Sequence, residues 1–238
     1  MKRASKLLGT TVAVVALGVS LVGHAGTYNF ITSGGGVYTA GSGSSQVIPD
    51  NSPSGMAYSL NFGASGLQIS DISVSFNISG GWNGDLYAYL SHGSSYSVLL
   101  NRVGTTSSGG DGYGDSGLNI VLKSTGAAYG DIHFYQSQSD YATKIGNGSS
   151  WEADGRINYT DTARNNQLDV FNTMDPSGAW TLFFADRAAV NTSTLNGWNL
   201  EITAVPEPAN VALGVFGVLA GGASFGRWWS RRRAAGTA

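Results

Sequence analysis

The chain has no cysteine among its 238 residues, and only 12% of its residues are charged. Without cysteine it can form no disulfide and perform no thiol chemistry, so its stability must come from a packed core. Between residues 26 and 208 there are six basic and fifteen acidic residues, a net charge of −9. Nucleic-acid phosphates require clustered lysine and arginine, so this acidic body argues against nucleic acid as a partner and is compatible with cations or neutral sugars.

Sequence signatures of catalysis are also lacking. Between residues 26 and 208 the chain contains no Gly-x-Ser-x-Gly elbow, no HExxH motif and no Walker loop. A hydrolytic triad would have to use His92 or His133. We interpret His92 as a turn residue and His133 as an outward-facing strand residue, both at the surface, and predict that the protein is not an enzyme.

The N-terminus has the pattern of a secretory signal peptide. Three basic residues within the first six precede an uncharged run over residues 7–22. Gly23 and Ala25 then supply small residues at the two positions that signal peptidase accepts. We predict cleavage after Ala25, which leaves Gly26 as the first residue. A permanent membrane anchor would begin in the same way, but its apolar run would be longer and would not end in a small-x-small site.

The C-terminus has the pattern of a membrane-spanning segment. Residues 209–226 carry no charge, and as a helix they would span about 27 Å, close to the ~30 Å hydrocarbon layer of a bilayer. Two tryptophans and four arginines follow, which is typical of the cytoplasmic side. Two prolines keep the stretch before the run extended. The residues of these two flanks that we single out are Val205, Pro206, Glu207, Pro208, Arg231, Arg232 and Arg233.

This order of Pro-Glu-Pro, apolar helix and arginine cluster resembles the PEP-CTERM sorting signal of Gram-negative bacteria. The resemblance implies recognition by an exosortase, a membrane cysteine protease that cuts near the motif. It also implies export through the inner membrane, transient anchoring there, and then transfer to the cell surface or the exopolysaccharide matrix. An ordinary single-pass anchor would share the helix and arginines but not the tripeptide. The expected segments are a signal peptide (1–25), a globular body (26–204) and a sorting signal (205–238).

The body has the alternating pattern of β-strands. Ile72, Val74, Phe76 and Ile78 fall on one face of a strand whose other face is polar. Short segments of this kind, separated by turn residues, predict two antiparallel sheets packed face to face. The predicted strands cover 28–31, 56–62, 71–78, 85–91, 96–101, 118–123, 131–136, 180–186 and 198–203. Their predicted core residues include Trp180, Leu182, Phe184, Trp198, Leu200 and Ile202.

The order of the strands carries a second resemblance. The stretches that carry it include Ile48-Pro49-Asp50-Asn51, Gly84-Asp85-Leu86, Asp115-Ser116-Gly117-Leu118, Gly178-Ala179-Trp180-Thr181-Leu182, and residues 194–202. Over about residues 45–203 the chain resembles the P domain of proprotein convertases. This implies an all-β, antiparallel, jelly-roll-like β-sandwich, flanked here by the signal helix and the transmembrane helix. In convertases the domain follows and stabilises a subtilisin-type catalytic domain, and the remaining residues here are too few to contain one.

A glycine-rich loop over residues 110–117 brings Asp111 and Asp115 together, and this predicts a calcium site. Calcium takes six to eight oxygen ligands from such carboxylates and carbonyls. Asp50, Asp85 and Asp186 lie near strand ends and are candidates to contribute from other loops. The alternative is that aspartate and glycine act here only as turn formers.

Three functions remain open from the sequence. The first is a non-catalytic structural or binding module at the cell surface or in the extracellular matrix. The second is a carbohydrate-binding module of the exopolysaccharide layer, because Tyr87, Tyr89, Tyr113 and Trp151 are predicted to be exposed aromatics. The third is an accessory to a protease, which only the P-domain resemblance favours. The expected partners are signal peptidase, exosortase, the membrane through the C-terminal helix, and exopolysaccharide.

Overall fold

Two β-sheets packed face to face form the body of the protein. The structure, a computed structural model, describes residues 28–29, 36–42, 45–63 and 66–207. Within these ranges strands predominate and nearly all strand pairs are antiparallel. The predicted all-β sandwich is therefore confirmed. Its strands in chain order are β1 (Tyr28–Asn29), β2 (Gly36–Ser42), β3 (Gln46–Val47), β4 (Ser52–Phe62), β5 (Leu67–Gly80), β6 (Leu86–His92), β7 (Ser95–Asn101), β8 (Leu118–Lys123), β9 (Ser149–Glu152), β10 (Gly178–Asp186) and β11 (Ser193–Pro206).

The larger sheet has the strand order β1-β2-β11-β5-β8-β9, and the short β3 also pairs with β11. The smaller sheet has the order β4-β10-β6-β7. The exception to antiparallel pairing among these strands is β9, which runs parallel to β8. A parallel neighbour needs a long crossover, and the segment between β8 and β9 supplies one. It contains a 3₁₀ helix (Ile132–Ser137) and the short helix α1 (Tyr141–Lys144).

The core lies between the two sheets, where alternate residues of each strand face inward. The ring of Phe76 on β5 meets the ring of Phe184 on β10 edge to face, with centroids 5.4 Å apart. Trp198 on β11 packs in the same layer against Tyr58 on β4, at 5.6 Å. All the predicted core residues of β5, β10 and β11 are buried. The alternating pattern therefore identified the buried face of each of these three strands correctly.

The strand predicted over residues 131–136 is wrong. The chain forms a 3₁₀ helix there, and the Asp131 carboxylate accepts a hydrogen bond from the backbone N–H of His133 at 2.9 Å. Ile132 and Tyr135, three residues apart, are both fully buried. A spacing of three is the helical one, and the alternating pattern that favoured a strand is here a coincidence of apolar residues.

No helix within the described ranges is long and apolar enough to cross a membrane. The predicted signal helix and the predicted transmembrane helix over 209–226 lie outside those ranges. Several predicted processing and topology residues also lie outside them: Ala25, Gly26, Pro208, Arg231, Arg232 and Arg233.

Candidate functional site

Four chain segments meet at one end of the sandwich. The Tyr113 carbonyl accepts a hydrogen bond from the Gly84 N–H at 2.9 Å, which holds the glycine-rich loop against the 3₁₀ turn Asn83–Asp85. The Asp85 carbonyl accepts from the Arg187 N–H at 2.9 Å, and the Ala188 carbonyl accepts from the Asn51 N–H at 3.2 Å. These contacts draw the loops before β4, before β6 and after β10 together, and each loop carries an aspartate.

The close approach of two of these loops depends on the absence of a side chain at Gly84. A Cβ at this position would lie 2.5 Å from the Asp111 carbonyl oxygen and 2.6 Å from the Tyr113 nitrogen. Both atoms are backbone, so neither can rotate away. Glycine at this position therefore allows the loop that carries Asp111 to lie directly on the turn that carries Asp85.

Asp85 and Asp186 are buried in this junction, with exposed fractions of 2% and 0%. Asp186 is the last residue of β10 and pairs in register with Leu86, so it lies beside Asp85. Its Oδ1 accepts a hydrogen bond from the Ala188 N–H at 3.3 Å, whereas its buried Oδ2 has no hydrogen-bond partner among the described residues. Within the same ranges no hydrogen bond reaches the Asp85 carboxylate. The junction thus contains two buried carboxylates that are poorly satisfied.

Two further aspartates, Asp50 and Asp111, lie on the loops that contact this pair. Burial, together with the charges of Asp85 and Asp50, raises the pKa of Asp186 to about 6, although the Ala188 N–H lowers it. Burial also raises the pKa of Asp85, which Arg102 lowers and the charges of Asp111 and Asp50 raise. The four side chains form what we call the acidic cluster: Asp50, Asp85, Asp111 and Asp186.

The neighbouring arginines do not neutralise the cluster by direct contact. Arg102 uses its Nε to donate to the Gly84 carbonyl at 3.3 Å, and its guanidinium lies over the Tyr159 ring. Arg187 follows Asp186 in sequence, but its guanidinium lies over the Tyr87 ring on the outer face of the smaller sheet. Neither arginine is among the ion pairs of the described residues.

Asp115, which the sequence paired with Asp111, belongs to a different set of contacts. Its Oδ2 accepts hydrogen bonds from the Tyr135 hydroxyl, at 2.9 Å, and from the Gln136 side chain. Both donors are neutral and lie on the 3₁₀ helix that follows β8. Among the described residues, no three His, Cys, Asp or Glu side chains are already arranged to hold a metal ion. The structure therefore separates Asp115 from the acidic cluster and groups Asp111 with Asp85.

Both histidines of the body are buried, so the prediction that they lie at the surface is wrong. The ring nitrogens of His133 lie 2.6 Å from the Asp154 carboxylate and 2.7 Å from the Thr105 carbonyl oxygen. Those of His92 each lie 2.9 Å from a backbone carbonyl oxygen. All four ring nitrogens are thus engaged in contacts within the fold. The partners are far away in the sequence, so the short polar stretches around His92 and His133 do not reveal these contacts.

A buried charge network continues from His133. Asp154 also contacts Arg156 at 3.2 Å, and Arg156 forms a second ion pair with Asp131. Arg164 joins the network through Asp131 at 3.5 Å and also pairs with Glu152 at 2.7 Å. Sequence analysis missed this network because its members are spread over the irregular segments that flank β9. Here each buried carboxylate has a charged partner, in contrast to the acidic cluster.

The outer face of the smaller sheet carries a cluster of aromatic rings. Tyr89 stacks on Phe183 of the neighbouring strand, with centroids 4.8 Å apart and planes 19° from parallel. Tyr87 lies 6.1 Å from Tyr89, and Arg187 covers its ring. Two residues from Phe183 and Tyr89 on their strands, Thr181 and Ser91 pair in register, and Ser59 of β4 pairs with Thr181 on its other side. Their hydroxyls form a row beside the stacked rings. We call these rings and hydroxyls the outer aromatic face.

The other two aromatics predicted to be exposed have different positions. Trp151 is 1% exposed and stacks on Tyr129 at 4.8 Å, so the prediction that it is a surface residue is wrong. It lies on β9, where it pairs in register with the buried Leu122. Tyr113 is half-buried and packs edge to face on Tyr135 at 4.7 Å. Tyr87 and Tyr89 are therefore the two of the four that share a surface.

The Pro-Glu-Pro motif begins inside the fold. Val205 and Pro206 are the last residues of β11 and pair in register with Gln68 and Leu67 of β5. Glu207 donates its N–H to the Gly66 carbonyl at 3.2 Å. The body therefore continues through the predicted boundary at residue 204, and no free linker separates β11 from the motif.

No family model matches this chain, and no curated protein matches it. Two solved structures share some of its arrangement. One is the serine protease of Aeromonas sobria in complex with the chaperone ORF2, with 12% identity and a TM-score of 0.38. The other is a serine protease of Aeromonas sobria, with 11% identity and a TM-score of 0.35. Each match covers 79% of this chain and 27% of the other chain. The chain thus spans about a quarter of those structures, and at these TM-scores the likeness carries no conclusion about fold or function.

Proposed function

We propose that this chain is an exported, exosortase-processed protein of the cell surface or extracellular matrix, with a non-catalytic structural or binding module as its body. The Pro-Glu-Pro motif, followed by an uncharged run and an arginine cluster, carries the proposal. In this proposal the body is a jelly-roll-like, P-domain-like sandwich. Signal peptidase removes residues 1–25, and the membrane holds the C-terminal helix until exosortase cuts.

The position of the motif supports a role in processing. Val205 is 45% exposed at the end of β11, and among the described residues β5 is its strand partner there. The start of the motif therefore lies at the end of an extended strand. A protease that approaches from the membrane would meet an extended backbone there, and extended backbone is the conformation in which proteases bind their substrates.

The test is to replace Pro206, Glu207 and Pro208 together with alanine in the producing organism. We expect an unprocessed, membrane-bound form to accumulate, because alanines let the following helix extend into the recognition stretch. Intact mass of the protein from envelope and medium fractions reports both ends at once, and the parent protein should begin at Gly26. Normal processing of the triple variant would overturn the proposal.

A matched control separates loss of recognition from loss of folding. The hydrogen bond between residue 207 and Gly66 is made by backbone atoms, so alanine at this position keeps it. The triple variant should therefore have the melting temperature of the parent protein. A second control, Asp169→Asn, removes one exposed acidic group outside the motif and should leave processing unchanged.

The non-catalytic assignment is supported by the contacts of the two histidines. A general base needs a free ring nitrogen within reach of a nucleophile. The nitrogens of His133 contact Asp154 and a backbone carbonyl, and those of His92 contact two backbone carbonyls. We therefore expect the purified protein to hydrolyse neither peptide nor ester substrates.

Carbohydrate binding is the second candidate, and the outer aromatic face favours it. Sugar rings present apolar C–H faces that pack on aromatic rings, and their hydroxyls pair with side-chain hydroxyls. The face offers both, in the Tyr89–Phe183 stack and in the neighbouring Thr181 and Ser91. Exopolysaccharide is the ligand that the proposed localisation would supply.

Titration of the protein with exopolysaccharide fragments tests this candidate. Tyr89→Ala combined with Phe183→Ala should abolish binding, whereas Trp82→Ala, which removes an aromatic ring that is 40% exposed elsewhere, should not. Absence of binding by the parent protein would leave the structural role. The third candidate, an accessory to a protease, predicts that a catalytic partner copurifies with the protein from the envelope.

A further inference from the structure

The acidic cluster contains two buried carboxylates that the described residues leave poorly satisfied. Asp186 is fully buried with one carboxylate oxygen unpartnered, and Asp85 beside it receives no hydrogen bond from these residues. Burying an ionised carboxylate without a partner is strongly unfavourable. The same protein satisfies Asp131 and Asp154 with Arg156, so an unpaired carboxylate pair is not a general feature of this fold.

Two species could satisfy such a pair. A proton could be shared between Asp85 and Asp186, or a cation could bind between them. The loops that converge on the pair also carry Asp50 and Asp111, and four acidic side chains at one junction favour a cation of high charge. The Ala188 N–H donates to one oxygen of Asp186, and the buried second oxygen has no partner among the described residues.

We propose that the acidic cluster binds a calcium ion, with the buried Asp85 and Asp186 as its carboxylate ligands. The donor set contains only oxygen, which selects hard cations over zinc or copper. Calcium accepts carboxylates, backbone carbonyls and water in a flexible shell of six to eight oxygens. Carbonyls of the converging loops and water would supply the ligands beyond these two side chains. Asp50 and Asp111 contribute charge from the adjoining loops.

This site differs from the one that the sequence predicted. Asp111 and Asp115 were predicted to be the principal ligands, whereas the proposed site uses Asp85 and Asp186 and excludes Asp115. The ion would join the start of β6 and the end of β10. In a chain without cysteine, it would link two segments that no covalent cross-link joins, as a disulfide does in other exported proteins.

The experiment uses the full-length chain, purified in detergent and stripped with a chelator. Calcium and magnesium are titrated separately by calorimetry, and the melting temperature is measured with each ion. We expect one calcium ion per chain and a melting temperature that rises with calcium concentration. Asp186→Asn and Asp85→Asn should each weaken calcium binding about 100-fold, because a buried charged ligand is lost.

Two matched variants make the result specific. Asp115→Asn should bind calcium as the parent does, and this distinguishes the proposed site from the sequence-predicted one. Asp169→Asn removes an exposed charge and should have no effect. If neither ion binds the parent or raises its melting temperature, the proposal is overturned and the pair holds a proton. Loss of binding in Asp115→Asn with retention in Asp186→Asn would overturn it as well. If Asp186→Asn does not fold, calcium binding by the parent protein and its weakening in Asp85→Asn test the proposal.

Discussion

The imidazole of His92 lies flat on the indole of Trp180, with ring centroids 4.2 Å apart and planes 4° from parallel. The ring is also fixed at its edges, because its nitrogens lie 2.9 Å from the carbonyl oxygens of Ala179 and Asp175. His92 ends β6 and Trp180 stands near the start of β10. The pair therefore fastens two neighbouring strands to the loop that leads into β10.

His92→Phe should destabilise the protein although it preserves the stack. Phenylalanine can lie on Trp180, but it has no ring N–H to donate to the carbonyl of Ala179 or Asp175, so the carbonyl that accepts from His92 loses its partner. A buried polar group without a partner costs about 1–3 kcal/mol. Urea unfolding should show this loss in the free energy of unfolding. His92→Gln, which can restore one donor, should lose less, and equal losses would mean that packing alone explains the effect.

Gly84→Ala should be far more damaging than an ordinary surface substitution. The added Cβ would meet two backbone atoms of the glycine-rich loop, the Asp111 carbonyl and the Tyr113 nitrogen, at 2.5 and 2.6 Å. Overpacking of this kind costs about 1–3 kcal/mol. Thermal unfolding checks the prediction, with Gly130→Ala as the control, because nothing lies within 4 Å of a Cβ at Gly130. Similar melting temperatures for both variants would mean that the loop moves aside freely.

Asp175 should stabilise the protein at neutral pH and lose this effect in acid. Partial burial alone raises the pKa of Asp175, but backbone N–H groups of Ser177 and Gly66 donate to its carboxylate and His92 lies nearby, so the net pKa is lower than usual. A carboxyl whose pKa is lower in the folded than in the unfolded protein stabilises the fold at pH values above its unfolded-state pKa of about 3.9. The stabilisation is lost as the pH falls through the folded-state pKa. Asp175→Asn should therefore be less stable than the parent at pH 7, and the difference should vanish near pH 2. A difference independent of pH would contradict this.

The arginine cluster of the tail should act separately from the Pro-Glu-Pro motif. Replacement of Arg231, Arg232 and Arg233 with serine removes the positive charge that disfavours translocation of the short C-terminal end. We expect weaker retention of that end on the cytoplasmic side, while the apolar run still partitions into lipid. Protease protection of a C-terminal tag in spheroplasts measures its side of the membrane. Lysine in place of each arginine should preserve the parent topology.

The sequence was most informative where burial alternates along a strand. Phe76, Phe184 and Leu200 were assigned to the core because one face of each strand is apolar, and they are buried. Irregular segments gave no such pattern. The 3₁₀ helix at Ile132 and the burial of Trp151 and His133 depend on contacts between segments far apart in the chain, which periodicity cannot report.

The acidic cluster shows the same division. Asp50, Asp85 and Asp186 could each be marked from the sequence as carboxylates near strand ends. Their convergence depends on which loops share one end of the sandwich, and only the topology determines that. Local spacing instead predicted that Asp111 and Asp115 would share a site. The Asp115 carboxylate accepts a hydrogen bond from the Tyr135 hydroxyl, which lies on the 3₁₀ helix that the sequence did not predict.

The position of β11 sets the order in which the domain can be completed. This strand lies between β5 on one side and β2 and β3 on the other, yet it is the last of the described strands in chain order. Until residues 193–206 have been synthesised, β2 and β5 lack this neighbour and present open strand edges that can pair with other chains. In the proposed topology the tail follows β11 at once and stays in the membrane. The pairing of β11 has high contact order and is intrinsically slow. It would then take place while the chain is tethered to the membrane. A tethered intermediate meets fewer other chains than a freely diffusing one, and it therefore has less opportunity to aggregate.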